Sequence, residues 1–275
     1  MDANPRGTAH GGPRLKLPWP QRLQGWLEAS ALLLALCLLW WLASHQAWLS
    51  KVFLPTPEAT WASLKEGLLG HDGAPGELAV FSLATLQRMA LGWLLASLVG
   101  VALGAVIGMS AAARAWVQPT LEFIRPLPAS AIIPLAISIF GLSPAMVLSV
   151  VAFGAMWPVL LATVHGLAHV EPRLREVAGA LQMPHLAFVW KMGLPSALPD
   201  ILAGMRLSMT VSLIVSIVGE MIASQPGLGQ SILLAARSFR ASELFAGIVL
   251  LGLIGFASNG LLAQAEQRLL RWQRP

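Results

Sequence analysis

Four ionisable side chains, Glu122, Arg125, Arg206 and Glu220, stand inside or at the ends of strongly apolar stretches. A charge in hydrocarbon is costly unless it pairs or faces water, so such residues serve a transport path or a structural ion pair. An intramembrane enzyme would need them paired deep within spans, and these four are its only candidates. His165 and His169 are spaced i, i+4, which places both on one helix face where they could hold a metal ion. Only Glu171 follows nearby as a further ligand type, so the pair reads as structural or interfacial. Cys37 is the single cysteine, which excludes an intrachain disulfide and a cysteine-based metal site. Within its apolar run it reads as a small buried hydrophobe. There is no G-x-x-x-x-G-K-[ST] phosphate loop, no H-E-x-x-H pair and no G-x-S-x-G elbow. Gly227-Leu228-Gly229 lacks the strand and helix context of a nucleotide fingerprint. No catalytic, cofactor-binding or metal-binding residue is assigned, and a non-catalytic subunit is expected.

The remaining chemistry is recognition, concentrated in a polar interruption from Glu171 to Pro195. Pro172 suits the first turn of a helix, where its missing N–H is no loss. Leu174, Val177, Ala178 and Leu181 then recur at i, i+3, i+4 and i+7 and line one face. Arg173 and Glu176 occupy the opposite face, and Pro184 limits the helix by disfavouring the helical conformation at Met183. An apolar stripe outside the bilayer wants a partner surface.

The elements that position these residues follow from composition. Hydrophobic residues make up 56% of the 275 and charged residues 11%, a membrane-protein balance. The formal charge of +5 is no nucleic-acid signal, because the basic residues flank hydrophobic segments and form no run with aromatics. Residues 1–27 read as a Pro- and Gly-rich tail, residues 28–267 as the membrane domain, and residues 268–275 as a second tail. Six spans are expected near 29–49, 83–110, 117–140, 145–167, 198–223 and 244–263, each long enough for a hydrocarbon core of roughly 30 Å. The first is a retained anchor, since its apolar run exceeds a signal-peptide core and no small-x-small cleavage site follows. Thr56-Pro57 starts a short outer helix with Trp61, Leu64 and Leu68 on one face. In the second span Gly92, Ala96, Gly100, Gly104 and Gly108 fall every four residues, a bare face suited to close helix packing. The third is interrupted by Pro126, Pro128 and Pro134, and Gly141-Leu142-Ser143-Pro144 turns the chain into the fourth.

Orientation follows from the positive-inside rule. With six spans, one side receives Arg6, Arg14, Lys16, Arg22, Arg114, Arg173, Arg175, Lys191, Arg268, Arg271 and Arg274. The other receives only Lys51, Lys65, Arg237 and Arg240. Both termini and the 170–195 loop are therefore expected to be cytoplasmic.

The polar interruption resembles the EAA loop of ABC-importer permeases, written E-A-A, three residues, G, nine residues, I, one residue, L-P. Glu176-Val177-Ala178 and Leu194-Pro195 match at the correct spacing, while Gln182 stands for Gly and Met192 for Ile. Glycine adopts φ > 0 readily and glutamine reluctantly, so Gln182 bears on the turn that follows the helix. Phe53-Leu54-Pro55-Thr56-Pro57, the run Glu122 to Leu135, and the motifs starting at Gly204, Gly219 and Gly227 resemble the nitrate/sulfonate/taurine branch of that family. The resemblance covers roughly residues 53–262. It implies an all-α type I importer permease fold of six transmembrane helices and a cytoplasmic coupling helix.

By the same resemblance Leu174, Glu176, Val177, Ala178, Leu181, Gln182, Leu194 and Pro195 couple to a cytoplasmic ATPase dimer, which carries ATP and Mg. A second permease copy completes the path, and an external substrate-binding protein delivers the cargo to a bacterial inner membrane. Substrates of the branch are small anions such as sulfonates, nitrate or bicarbonate. A heterocyclic vitamin precursor is the alternative, and a self-sufficient secondary transporter is disfavoured by the absence of an internal repeat.

Topology is directly testable. In a chain whose Cys37 has been replaced, cysteines at Ala3, Gly179 and Gln273 should resist an impermeant thiol reagent on intact cells. Cysteines at Gly70 and Ser238 should label, and external labelling at Gly179 would invert the orientation.

Overall fold

The computed structural model describes residues 19–46, 48–70, 74–124 and 126–271, so residues 1–18, 47, 71–73, 125 and 272–275 lie outside it. All regular structure among the described residues is helical: α1 Trp19–His45, α2 Pro57–Leu69, α3 Glu77–Met109, α4 Ala111–Ile124, α5 Ile133–Phe140, α6 Pro144–Ala168, α7 Pro172–Ala180, α8 His185–Phe188, α9 Leu194–Ala223, α10 Leu228–Arg237 and α11 Ala241–Leu269. The chain divides into two units, residues 1–57 and 58–275.

In the first unit α1 already begins at Trp19, inside the stretch read as a tail to residue 27. Its apolar length Ser30–His45 rises roughly 24 Å at 1.5 Å per residue. The chain beyond α1 is tied back by the Trp40 indole N–H, which donates to the Pro55 carbonyl at 3.0 Å. Cys37 is exposed, not buried as its apolar context implies. An apolar run in a membrane protein can meet lipid as well as protein, so hydrophobic neighbours do not place a side chain inside.

In the second unit four helices are long and apolar enough to cross a membrane: Glu77–Met109, Pro144–Ala168, the continuous His185–Ala223 and Ala241–Leu269. The expected third span is not one helix. Helix α4 and the segment Ala129–Phe140 are bent by 81°, and the break lies where Pro126 and Pro128 remove donors and disfavour helix at the residues before them. Residues 111–116, between the expected second and third spans, are helical: α4 starts at Ala111, and the Ser110 hydroxyl accepts from the Ala113 N–H at 3.2 Å as an N-terminal cap. After α5, Gly141 takes φ 65°, Ser143 caps α6 through the Met146 N–H at 3.2 Å, and Pro144 occupies the first turn. The fifth span starts earlier than residue 198. A π-helical segment Val189–Gly193 joins α8 to α9 without a break in the apolar helix.

The small residues of α3 face α6. Gly92, Ala96, Gly100, Gly104 and Gly108 are all buried, against Val151, Val159, Thr163 and Leu167 in matching four-residue steps. A Cβ on Gly100 would stand 2.9 Å from the Val159 Cβ and 3.1 Å from the Met156 carbonyl oxygen. The other side of α6 meets α9 antiparallel. Gly204 lies against Ala162 and Pro158, Gly219 against Val147, and the Ser208 hydroxyl donates to the Ala155 carbonyl at 2.6 Å. The Trp93 indole N–H donates to the Met205 carbonyl at 2.9 Å, adding a direct tie from α3 to α9. On α2, Leu64 and Leu68 join a cluster with Leu78, Ile217 and Leu228, whereas Trp61 is exposed, so the expected three-residue face does not act as one.

Gly100→Leu and Gly104→Leu should each destabilise the α3–α6 contact by at least about 1–3 kcal/mol, because the obstructing atoms include backbone. Leu98 is exposed, and Leu98→Ile should change stability by about 0.5 kcal/mol or less. Thermal unfolding in detergent, followed by size-exclusion chromatography, separates these outcomes. Parent-like unfolding of both glycine variants would make the stripe a matter of composition only.

Candidate functional site

The polar segment that follows α6 folds as a short helix closed by a defined cap. Pro172 occupies the first turn of α7, as its fixed φ favours. At the other end Gln182 sits in the left-handed region at φ 47°. The Met183 N–H donates to the Ala178 carbonyl at 2.9 Å, and the Gln182 N–H donates to the Gly179 carbonyl at 3.0 Å. Those two bonds form a Schellman motif with Gln182 at the position where glycine is usual. The turn that glycine would make is therefore kept, at the expense of a strained glutamine.

Anchoring α7 divides the apolar stripe. Ala178 is buried, and Leu174 packs on a cluster of Leu167, Val170, Ala197 and Ile201 where the end of α6 meets the start of α9. The Arg175 guanidinium donates to the Leu167 carbonyl at 2.9 Å and thereby meets the negative end of α6. Glu176, Val177 and Leu181 face outward, with Val177 47% and Leu181 64% exposed. Successive residues turn by about 100°, so 177 and 181 lie on one edge of the stripe and 174 and 178 on the other. Two members hold the helix and two are left for a partner. Leu194 and Pro195 begin α9, with Leu194 packed on the same cluster. The role of Arg175 was not foreseen, although a cation just past a helix C-terminus is a recognisable signal.

A cleft of about 1060 Å³ opens between α4, α6 and α9. Its polar lining includes Arg114, Glu122, His165, His169 and Asp200. His165 and His169 are exposed, with ring centroids 4.1 Å apart, and the His169 Nδ1–H donates to the His165 carbonyl at 2.9 Å. Among the described residues no group of three or more His, Cys, Asp or Glu has metal-site geometry.

The charges within the spans find partners on other helices. Arg206 on α9 pairs with Glu266 on α11. Glu220 is fully buried and receives the Arg88 guanidinium at 2.7 Å and the Thr85 hydroxyl at 3.0 Å, both from α3, and the Gly229 N–H at 2.9 Å. Glu122 lines the cleft, apart from both pairs, and Arg125 lies outside the described residues. Arg88, Thr85 and Glu266 were not singled out as partners, because residue spacing along a chain says nothing about which face of a different helix lies opposite.

Residues 96–271 match the family described as the inner membrane component of binding-protein-dependent transport systems. A Bacillus subtilis permease named for aliphatic sulfonate transport is 30% identical over 90% of this chain and 88% of its own length. The taurine transport system permease protein of Escherichia coli is 29% identical over 94% of each chain. Among solved structures, the inward-facing MetNI methionine ABC transporter has a chain that superposes with a TM-score of 0.62 at 19% identity, covering 72% of this chain and 97% of that one. That likeness concerns the fold.

Gln182→Gly should stabilise the turn by about 1 kcal/mol, since glycine takes the left-handed conformation without a Cβ clash. Slower amide hydrogen exchange at positions 182 and 183 would report it. A β-branched replacement, Gln182→Val, should act in the opposite sense.

Proposed function

Because the chain belongs to the family of inner-membrane components of binding-protein-dependent transport systems, and is the membrane-embedded permease subunit of an ABC importer, we propose that it moves a small anion into the cell by alternating access. The cargo class is that of the relatives, whose names specify aliphatic sulfonates, taurine, nitrate and bicarbonate. The cleft between α4, α6 and α9, mostly apolar with Arg114, Glu122, His165, His169 and Asp200 in its wall, is the surface that two copies of the chain would close into a path. The subunit itself performs no bond chemistry. ATP and Mg belong to a pair of cytoplasmic ATPase subunits, and a binding protein on the outer face delivers cargo. Both termini lie in the cytoplasm, as the distribution of Lys and Arg favours.

The observation that carries this reading is α7. It is fixed to the bundle by Leu174, Ala178 and Arg175 yet leaves Val177 and Leu181 exposed. A helix tethered on one edge and apolar on the other transmits displacement of a docked partner to α6 and α9, the two helices on which it rests. Closure of the ATPase pair on ATP would thus rock the spans between inward-open and outward-open forms. Glu176 flanks the docking edge and meets polar or basic groups of the ATPase.

Val177→Asp and Leu181→Asp leave the bundle core untouched, because neither side chain is buried. Each exposed apolar contact made on docking is worth about 1.5–3 kcal/mol, so both variants should insert normally but lose at least about tenfold in ATPase association. Uptake and ATP hydrolysis in a reconstituted complex measure the consequence. Parent-like transport by both variants would reduce α7 to an ordinary connector.

A further inference from the structure

Two sequence motifs remain unexplained by docking and by the cleft: Gly219-Glu220 at the end of α9, and Gly227-Leu228-Gly229 at the start of α10. In the structure they are two halves of one contact. Glu220 accepts from Arg88 on one oxygen, and from Thr85 and the Gly229 N–H on the other. The Thr85 hydroxyl in turn accepts from the Leu228 N–H at 2.9 Å. The first two amide groups of α10, which no intrahelical carbonyl can satisfy, are thus taken by side chains of α3 and α9. The positive end of α10 also points at the Glu220 side chain.

The glycines are required by closeness. A Cβ on Gly227 would stand 2.6 Å from Glu220 Oε1, and one on Gly229 would stand 3.1 Å from the Glu220 Cβ. On Gly219 it would stand 2.8 Å from the Val147 side chain, so α9 is also pressed on α6 beside the charged residue. The charge distribution puts α10 on the outer side, the side of the binding protein. Helix α10 buries Leu228, Ile232 and Ala235 and leaves Leu234 exposed, with Phe239 exposed just beyond it.

We infer that Glu220, with Thr85 and Arg88, is a positioning residue for transport, fixing α10 to α3 and α9 so that load on the outer helix reaches the spans. This rests on the importer reading above. The network turns α10 and the outer ends of α3 and α9 into one body. A docked binding protein that displaces α10 therefore displaces two of the three core helices, and α7 senses the result at the opposite end of α9. Loss of the Thr85 hydroxyl removes one donor to Glu220 and the sole side-chain acceptor of the Leu228 N–H, so α10 can shift without the spans.

The test uses the complete complex of permease, ATPase and cognate binding protein in proteoliposomes. Thr85→Val removes the hydroxyl with little change of shape, Thr85→Ser retains it, and Glu220→Gln removes the charge. Basal ATP hydrolysis and complex assembly should stay within about twofold of the parent for the two threonine variants, whereas Glu220→Gln also leaves the Arg88 guanidinium without its carboxylate and is read by the ratio of stimulated to basal hydrolysis. Stimulation of hydrolysis by the loaded binding protein should fall by at least about tenfold in Thr85→Val and Glu220→Gln, the scale of a lost hydrogen bond to a charged group, and survive in Thr85→Ser. Parent-like stimulation in Thr85→Val and Glu220→Gln would overturn the inference. So would a loss in which assembly, basal hydrolysis and stimulation decline together, since that is structural weakening alone. A parent complex that shows no stimulation at all would instead overturn the importer reading on which the inference stands.

Discussion

Helix α6 packs closely on both α3 and α9 because each neighbour offers small residues where the backbones approach. In hydrocarbon, lipid tails are as apolar as leucine, so helices associate through van der Waals contact and hydrogen bonds in place of a hydrophobic drive. Such contact is strong only where backbones approach closely. The row from Gly92 to Gly108 gives that approach on one side, and Gly204 and Gly219 give it on the other. Everything else in the second unit hangs on this three-helix stack. Helix α11 is bound more loosely, with 11% of its apolar window buried against 44% for α6 and for the α9 span. That suits an outer helix held by the Arg206–Glu266 pair and a few apolar contacts.

The stack carries a polar device at each end, and the two work differently. At the α7 end the device is backbone geometry. Arg175 and the Schellman turn set α7 at a fixed angle on α6 and α9, so two apolar side chains remain outside. At the α10 end the device is a buried charge, satisfied from α3 and α10 at once. Between them run the apolar helices, and Arg114, Glu122, His165, His169 and Asp200 stand in the otherwise mostly apolar wall of the cleft beside α6. The break between α4 and α5 belongs to the same logic. A continuous helix there would leave less freedom for the chain to line the cleft with both Glu122 and Ser130.

Much of this was legible in advance, and Gln182 shows the limit. The E-A-A and L-P spacing marks α7 and the start of α9, and the four-residue glycine period identifies the packing face of α3. Yet glutamine in place of glycine argues against a left-handed turn, and the chain makes that turn regardless. The two hydrogen bonds of the cap, together with burial of Ala178, outweigh the roughly 1 kcal/mol that a Cβ costs there. The apolar stripe of α7 was likewise read as one surface, because periodicity reports a face and not the angle at which that face meets its neighbour.

Sequence by itself determined the class of the protein, four of its apolar spans, the prolines that break a fifth, and the family to which it belongs. These are local properties: hydropathy over about 20 residues, steric limits at proline and glycine, and a motif contained within one loop. Tertiary structure alone decided the partners. It set Glu220 on Arg88, Thr85 and Gly229, set Arg206 on Glu266, and split Val177 and Leu181 from Leu174 and Ala178. Each of these depends on the rotation of one helix about its axis relative to another. That rotation is fixed by the summed packing of α3, α6 and α9, a quantity that no single stretch of the chain contains.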